Sequence, residues 1–327
     1  MKIAIIGAGA IGGFLGAKLA LAGEEVTFLV RGANLQAIRQ QGIKLIAADG
    51  SEQVARQVRA TNDYREAGVH DVVVLAMKAH QLDAVAADVP LLCGANTVVV
   101  PMQNGIPFWY FHKLPGPFEG HTLHSVDPGG RIGRAISAER VIGCVVYPAS
   151  ELVAPGVVRH IEGDRFPLGE LDGSTSARAQ ALSDVFQRGG FKAPLLADIR
   201  SEIWLKLWGN LTFNPVSALT RATLEDICRF APTRELAASM MSEAQQVAGK
   251  LGVTFRVSIE KRIAGAERVG AHKTSMLQDI EAGREPEIEA LVGSVVELAR
   301  LTQTPTPHID AVYALTRLLG RSVAAQA

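Results

Sequence analysis

Two rhythms of apolar and polar positions divide the chain. In the first part, short continuous apolar runs recur, too short for helices and too unbroken for half-exposed strands; they read as buried strands. Lys2–Ile6 is one, Val26–Val30 is another, and "DVVVLAMKAHQ" (71–81) and "NTVVVPMQNGI" (96–106) continue the series. Between the first two, Phe14 to Ala22 reads as a helix, so the order is strand, turn, helix, strand. From about residue 120 the pattern changes. "RVIGCVVYPASELVAPGVVRHIEGDRFPLGELDG" (140–173) reads as three strands broken at Pro155-Gly156 and Gly163-Asp164, most simply an antiparallel extension of the sheet. Thr175–Arg188 reads as a helix and Lys192–Leu196 as a last short strand. Beyond Asp198 the apolar spacing is helical: Glu202–Leu219, Arg234–Leu251, Ser258–Arg268, Glu287–Thr302 and, after the break "TPTPH", Ile309–Leu319. The pattern predicts an α/β fold, with an N-terminal Rossmann-type dinucleotide-binding domain over residues 1–197 and an all-helical domain over 198–327.

Composition narrows the class without changing it. With 327 residues, 48% hydrophobic and 20% charged, the chain can bury two cores. Lys plus Arg balance Asp plus Glu at 33 each, which argues against a nucleic-acid or anionic-membrane surface. Cys93, Cys144 and Cys228 lie far apart with no metal-ligand spacing; no metal is expected, and buried reduced thiols suit a cytoplasmic protein. No apolar run reaches the roughly 18 residues of a membrane span. The start, "MKIAIIGAGAIGGFLGAKLALAG", superficially resembles a signal peptide, but its internal spacing says otherwise.

That spacing is the first piece of chemistry. Gly7-Ala8-Gly9-Ala10-Ile11-Gly12 follows a strand and opens a helix, where a dinucleotide fingerprint belongs. Gly7 allows the tight turn, Gly9 lets a pyrophosphate approach the backbone, and Gly12 lets helix and strand pack closely. The helix N-terminus offers free N–H groups and positive dipole to phosphates. The second strand ends at Arg31, with no acid until Asp49. NAD-binding folds usually place a carboxylate there for the ribose hydroxyls, whereas a guanidinium grips a 2′-phosphate, so NADP(H) is the expected cofactor. Lys78 and Asn104 close the next two strands, at the carboxyl edge where ligands of such sheets collect. Each could serve the nicotinamide end; the plainer readings are a surface lysine and an Asn-Gly turn.

The second piece is "SEIWLKLWGNLTFNP" (201–215). Lys206, Asn210 and Asn214 recur at steps of four and share one face of an apolar helix. The stripe faces either water or a ligand, and Trp204, Trp208 and Phe213 beside it favour burial and a cleft between domains. Downstream, "HKTSMLQDIEAGREPEIEALVG" (272–293) offers Ser275 and Glu287, the latter near a helix start where a carboxylate also suits the dipole. Asp279, Glu281 and Arg284 read as a solvated face.

Together these residues resemble the ketopantoate reductases, the 2-dehydropantoate 2-reductases. The resemblance spans nearly the whole chain: GAGAIG, Arg31, Lys78, "QNG" at 103–105, W-x-K-L-x-x-N-x-x-x-N-P at 204–215, and "TSMLQD" followed by "EIEALVG". It implies NADPH-dependent reduction of a 2-oxo acid to a 2-hydroxy acid, ketopantoate to pantoate in pantothenate biosynthesis. It further implies Lys206 as general acid with Glu287 as its partner, Asn104, Asn210, Asn214 and Ser275 on substrate, and Lys78 and Asn104 at the nicotinamide and reactive centre. The residue types fit: an alkoxide forming under hydride attack needs a proton and nearby positive charge, and an ammonium supplies both. Leu224 departs from the family pattern, which often has a further Asn there. A related dehydrogenase for another hydroxy acid or an imine, or an NADP-binding sensor without activity, are the alternatives. A homodimer through the helical domain is a further expectation, and the aromatic-rich segment within 106–135 could shape a pocket or an outer face.

Overall fold

A computed structural model describes residues 1–325. It divides into two compact units: one of residues 1–103, 108–122 and 129–199, the other of residues 104–107, 123–128 and 200 onward.

In the first unit, strands β1 (Lys2–Ile6), β2 (Glu25–Leu29), β5 (Val58–Thr61), β6 (His70–Leu75) and β7 (Cys93–Pro101) form a parallel sheet in the order β5-β2-β1-β6-β7. Alternate residues of a strand point to opposite faces. Here Ile3, Ile5, Phe28, Val72 and Val74 enter one core, while Ala4, Ile6, Leu29, Val73 and Leu75 enter the other. Both faces being covered, the strands read as unbroken apolar runs. Chain order reverses direction at β1, so the crevice at its carboxyl end is the topological switch point.

Helix α1 (Ala10–Leu21) covers the first core, and a second sheet covers α1. Here the sequence expectation needs correction. β9 (Ala149–Ala154) and β10 (Val157–Glu162) do pair antiparallel, but they do not extend the main sheet. β10 runs parallel to β3 (Ile43–Ile46), which pairs with β4 (Glu52–Ala55), giving a separate sheet β4-β3-β10-β9. Gly13 and Gly16 make α1 thin enough to lie between the two sheets: a Cβ on Gly13 would stand 2.5 Å from Val158, and one on Gly16 2.4 Å from Phe28. The third strand read in that segment is β11 (Leu168–Gly169), which pairs antiparallel with β8 (Gly143–Cys144) and not with the main sheet. Lys192–Leu196 forms single bridges at Lys192 and Leu195, not a strand. The unit also holds α2 (Gly32–Gln41), α3 (Tyr64–Ala67), α4 (Asp83–Ala86), α5 (Arg131–Ala135) and α6 (Ala177–Arg188). Trp109, Tyr110 and Phe111 of the aromatic-rich segment are buried in it.

The second unit is helical among its described residues: α7 (Ile199–Thr220), α8 (Leu224–Arg229), α9 (Ala231–Lys250), α10 (Ile259–Arg268), α11 (Ser275–Glu281), α12 (Ser294–Leu301) and α13 (Pro307–Ala324). Trp204 and Trp208 of α7 are fully buried, and the Trp208 indole donates to the Met241 carbonyl of α9 at 2.7 Å. The buried Glu243 carboxylate of α9 accepts the His308 and Ile309 N–H groups, capping α13. Asp279 corrects another expectation: it is buried rather than part of a solvated face, with Arg284 3.0 Å away, while Glu281 is exposed and paired with Lys273.

Candidate active site

The glycine loop has the geometry a dinucleotide needs. Gly7 sits at φ +97°, a region closed to most L residues, and its N–H donates to the Leu29 carbonyl at 3.0 Å. A Cβ on Gly12 would stand 2.0 Å from the Gly7 carbonyl oxygen and 2.8 Å from the Ala76 Cβ, so this crossing of turn and helix requires glycine. Gly9 differs: nothing lies within 4 Å of where its Cβ would be. It is also the N-cap of α1 and, being glycine, brings no side chain of its own to the first-turn N–H groups. Open space over a glycine beside a helix start fits a pyrophosphate, with Ala8, Ala10 and Ile11 supplying backbone around it. Arg31 caps the start of α2 and is exposed, as a 2′-phosphate partner must be. Lys78 follows β6 and is half-buried, its N–H donating to Gln81 Oε1 at 3.3 Å. Gln103 ties the ends of β6 and β7, its amide donating to the Leu75 and Met77 carbonyls at 2.8 and 3.0 Å.

Asn104, next in the chain, belongs to the helical unit. There its Oδ1 accepts a hydrogen bond from the Lys206 ammonium at 2.7 Å. Lys206 and Asn210 are half-buried, Asn214 is 6% exposed, and the flanking Trp204, Trp208 and Phe213 are buried. The stripe on α7 is therefore not a solvated face. Asn214 Nδ2 lies 3.5 Å from Ser275 Oγ, bringing the far end of the stripe to the first residue of α11. Thr274 caps that helix by accepting the Leu277 N–H, leaving the exposed Ser275 hydroxyl to other partners. Leu224, where the family pattern has Asn, donates its N–H to the His272 carbonyl at 3.0 Å, so it adjoins the segment leading to Ser275.

Glu287 is half-buried one residue before Ile288, where a helical stretch begins with a π turn, Glu289–Gly293. That turn touches the Asn104 loop: the Ile106 N–H donates to the Ala290 carbonyl at 3.1 Å. The sequence reading takes Gly105 only as half of an Asn-Gly turn and passes over Gly209. Gly105, at φ +90°, looks like a turn glycine, yet a Cβ there would stand 2.0 Å from the Ala290 carbonyl oxygen. Gly209, one residue before Asn210, leaves the space taken by the Arg262 guanidinium, 2.2 Å from where its Cβ would be. A glycine inside an otherwise strong helix pattern is the sequence signal for such an approach.

A parallel sheet with a dinucleotide loop at its switch point, followed in the chain by an all-helical unit, defines the class: a nicotinamide-dependent oxidoreductase of Rossmann type. Comparison with known proteins gives the family. The family model described as "Ketopantoate reductase PanE/ApbA" matches residues 3–173, and "Ketopantoate reductase PanE/ApbA C terminal" matches residues 198–320. A 2-dehydropantoate 2-reductase of Mesorhizobium japonicum is 54% identical over 320 residues, covering 98% of each chain. The crystal structure of a protein assigned to the ketopantoate reductases, from Ralstonia solanacearum MolK2, superposes with a TM-score of 0.94 at 43% identity over 98% of each chain. D-mandelate dehydrogenase, in its ternary structure with NADH and anilino(oxo)acetate, shares the fold: TM-score 0.84, 24% identity, 99% of each chain. The protein belongs to the ketopantoate reductase family, whose members are NADP-dependent oxidoreductases.

Proposed function

We propose that this protein reduces 2-dehydropantoate to pantoate with NADPH, and that Lys206 donates the proton. The observation that carries the reading is the 2.7 Å hydrogen bond from Lys206 Nζ to Asn104 Oδ1, which aims an ammonium from a largely apolar helix. The loop Gly7–Gly12 would hold the pyrophosphate, Arg31 the 2′-phosphate, and Lys78 with Asn104 the nicotinamide end. When bound, the dinucleotide supplies the hydride. The rest falls to the protein. As C2 of the 2-oxo acid becomes tetrahedral, its oxygen gathers negative charge, and the Lys206 ammonium stabilises it and then transfers a proton to it. Products are the 2-hydroxy acid and a neutral amine that regains its proton from solvent. Glu287 keeps the ammonium charged. Asn210, Asn214 and Ser275 orient the carboxylate and hydroxyl of the substrate as neutral hydrogen-bonding groups that leave the site charge unchanged.

A second reading, a different branched or linear 2-oxo acid, draws on Leu224: an apolar side chain beside the Ser275 segment replaces an amide that would bind a polar substituent. NADPH oxidation followed with ketopantoate and a panel of other 2-oxo acids tests both. Ketopantoate should give the highest kcat/KM, and a tenfold preference for another acid would reassign the substrate. No described helix is long and apolar enough to cross a membrane, and none of the three cysteines is in a disulfide; a cytoplasmic location suits both. Leu315 and Leu318 on α13 are 56% and 61% exposed, which supports a homodimer through this helix. Sedimentation of the wild type and of Leu318→Lys should then show a dimer and a monomer.

A further inference from the structure

A helix that takes one extra residue into a turn becomes a π turn there, and its carbonyls leave their usual axial partners. Glu289–Gly293 is such a turn, set between Glu287 and α12. The Ala290 carbonyl within it accepts from the buried Ser294 hydroxyl at 2.7 Å and from the Ile106 N–H at 3.1 Å. Only a residue without a Cβ permits the second bond. Gly105 stands at φ +90°, and a Cβ on it would meet the Ala290 oxygen at 2.0 Å and its carbonyl carbon at 2.5 Å. The residue before this joint is Asn104, whose amide oxygen holds Lys206.

The π turn has its own brace. Gly293 leaves room for the Glu289 carboxylate, which would lie 2.3 Å from a Cβ there. Tyr313 of α13 donates to Glu289 Oε2 at 2.6 Å, and Arg317 Nε lies 3.3 Å from Oε1. Burial and this hydrogen bond to a carboxylate push the Tyr313 hydroxyl up to about 12. The phenol therefore stays a donor to Glu289 across the working pH range.

We propose that the π turn is a positioning device for the proton donor: by presenting the Ala290 carbonyl to Ile106 it fixes Asn104, and through Asn104 it aims the Lys206 ammonium. Gly105 is a positioning residue within the joint, and the Glu289–Tyr313 pair is its remote brace. Removing one residue from the turn would restore regular helix and rotate Glu287 by about 100° about the helix axis, so the same turn also sets the direction of that carboxylate. The inference rests on the reading of Lys206 as the acid.

The test uses full-length Lys206→Ala, Asn104→Ala, Gly105→Ala and Tyr313→Phe, with kcat, its pH profile and NADPH affinity measured for each. A displacement of a reacting group by about 1 Å costs on the order of a hundredfold in rate. Gly105→Ala should therefore lower kcat roughly ten- to a hundredfold with NADPH affinity within about twofold of wild type. It should also move the alkaline limb of the kcat profile to lower pH, as Asn104→Ala should, because a hydrogen bond to the charged amine favours that form. Tyr313→Phe should move both in the same directions by a smaller factor, about two- to fivefold in kcat. It also decides the matter should Gly105→Ala fail to fold, since it deletes a single hydroxyl away from Asn104 and Lys206. Inactive Lys206→Ala beside a Tyr313→Phe with wild-type kcat and an unmoved limb overturns the inference. Active Lys206→Ala overturns the reading beneath it.

Discussion

Lys206 and Asn104 meet across a 2.7 Å hydrogen bond within the helical unit, although 102 positions separate them in the chain. Asn104 follows the last strand of the parallel sheet, and Lys206 lies two turns into the helix that opens the all-helical part. The bond holds the charged head of the lysine in place. Such fixation is what a proton donor needs, because it removes a search over rotamers from the reactive step.

Replacing Lys206 by Ala should lower kcat at least about a hundredfold, the scale for loss of a general acid, while NADPH affinity barely changes. Single-turnover NADPH oxidation with ketopantoate measures the first and fluorescence titration the second. A folded variant turning over near the wild-type rate would return the stripe to a structural role.

Arg31 is exposed at the N-cap of α2, after the strand that ends at Leu29, and no carboxylate accompanies it on that strand end. NADPH should bind more tightly than NADH. Arg31→Ala should weaken NADPH by about 1–3 kcal/mol, the range for a charge-assisted contact to phosphate, and leave NADH nearly unchanged. Equal wild-type affinity for the two cofactors refutes the assignment.

Local signals carried much of this fold into the sequence. The glycine loop is contiguous, and its spacing can be read without knowing the rest of the fold: Gly12 answers to the Gly7 carbonyl five residues earlier, and Gly9 to open space. The long helices of the second part show apolar periodicity over many turns. What did not show depends on partners distant in the chain. β3 and β4 are short and half-exposed, and only the pairing with β10 makes them part of a sheet. α8 and α11 are short, yet their caps were written: Thr223 and Asp226 form a capping box, and Thr274 caps α11. The π turn has no local signature, because an extra residue in a helix leaves the apolar pattern nearly intact. Gly105 reads as half of an Asn-Gly turn until the Ala290 carbonyl is seen against it. Thus Lys206, Asn104 and Glu287 could each be singled out by residue type and position, but not the chain of contacts through which they are held.

Glu170 offers a test of stability apart from the reaction. It is 5% exposed and accepts from Ser176 Oγ at 2.5 Å and from Arg178 through Nε at 2.7 Å and Nη2 at 2.6 Å. Burial alone would raise its pKa, but the Arg178 and Ser176 hydrogen bonds outweigh it and hold the carboxyl below its ordinary 4.5. A depressed carboxylate contributes stability that is present above the unfolded value and lost as pH falls through the folded one. Arg178→Ala leaves a buried carboxylate without its counter-charge and should cost roughly 3 kcal/mol at neutral pH, the low end for a broken buried pair because Arg178 is partly exposed. Unfolding measured from pH 7 to pH 3 should show that deficit shrinking as pH falls, beginning above 4.5 because burial without Arg178 raises the variant's carboxyl, and ending once the wild-type carboxyl is protonated too. A deficit constant with pH would mean that Arg178 acts through packing alone.

The roles of Asn210, Ser275 and Glu287 separate in a pH–rate profile. Asn210→Ala and Ser275→Ala each remove a hydrogen bond to a ligand that must leave water, so each should cost roughly 1–3 kcal/mol in kcat/KM. Neither residue carries charge, and their loss should lower the profile without moving it. Glu287 is different in kind. Its carboxylate sits half-buried at the entrance to the π turn, and the reading gives it the task of keeping the Lys206 amine protonated. Removing a nearby negative charge disfavours an ammonium, so Glu287→Ala should shift the alkaline limb of kcat/KM to lower pH as well as lower its plateau. Glu287→Gln keeps the shape and loses the charge, and it should shift the limb as far as Glu287→Ala does. Should the limb stay in place in both variants, the carboxylate would serve only the start of its helix, where it also favours the dipole, and the pairing of Glu287 with Lys206 would have to be abandoned.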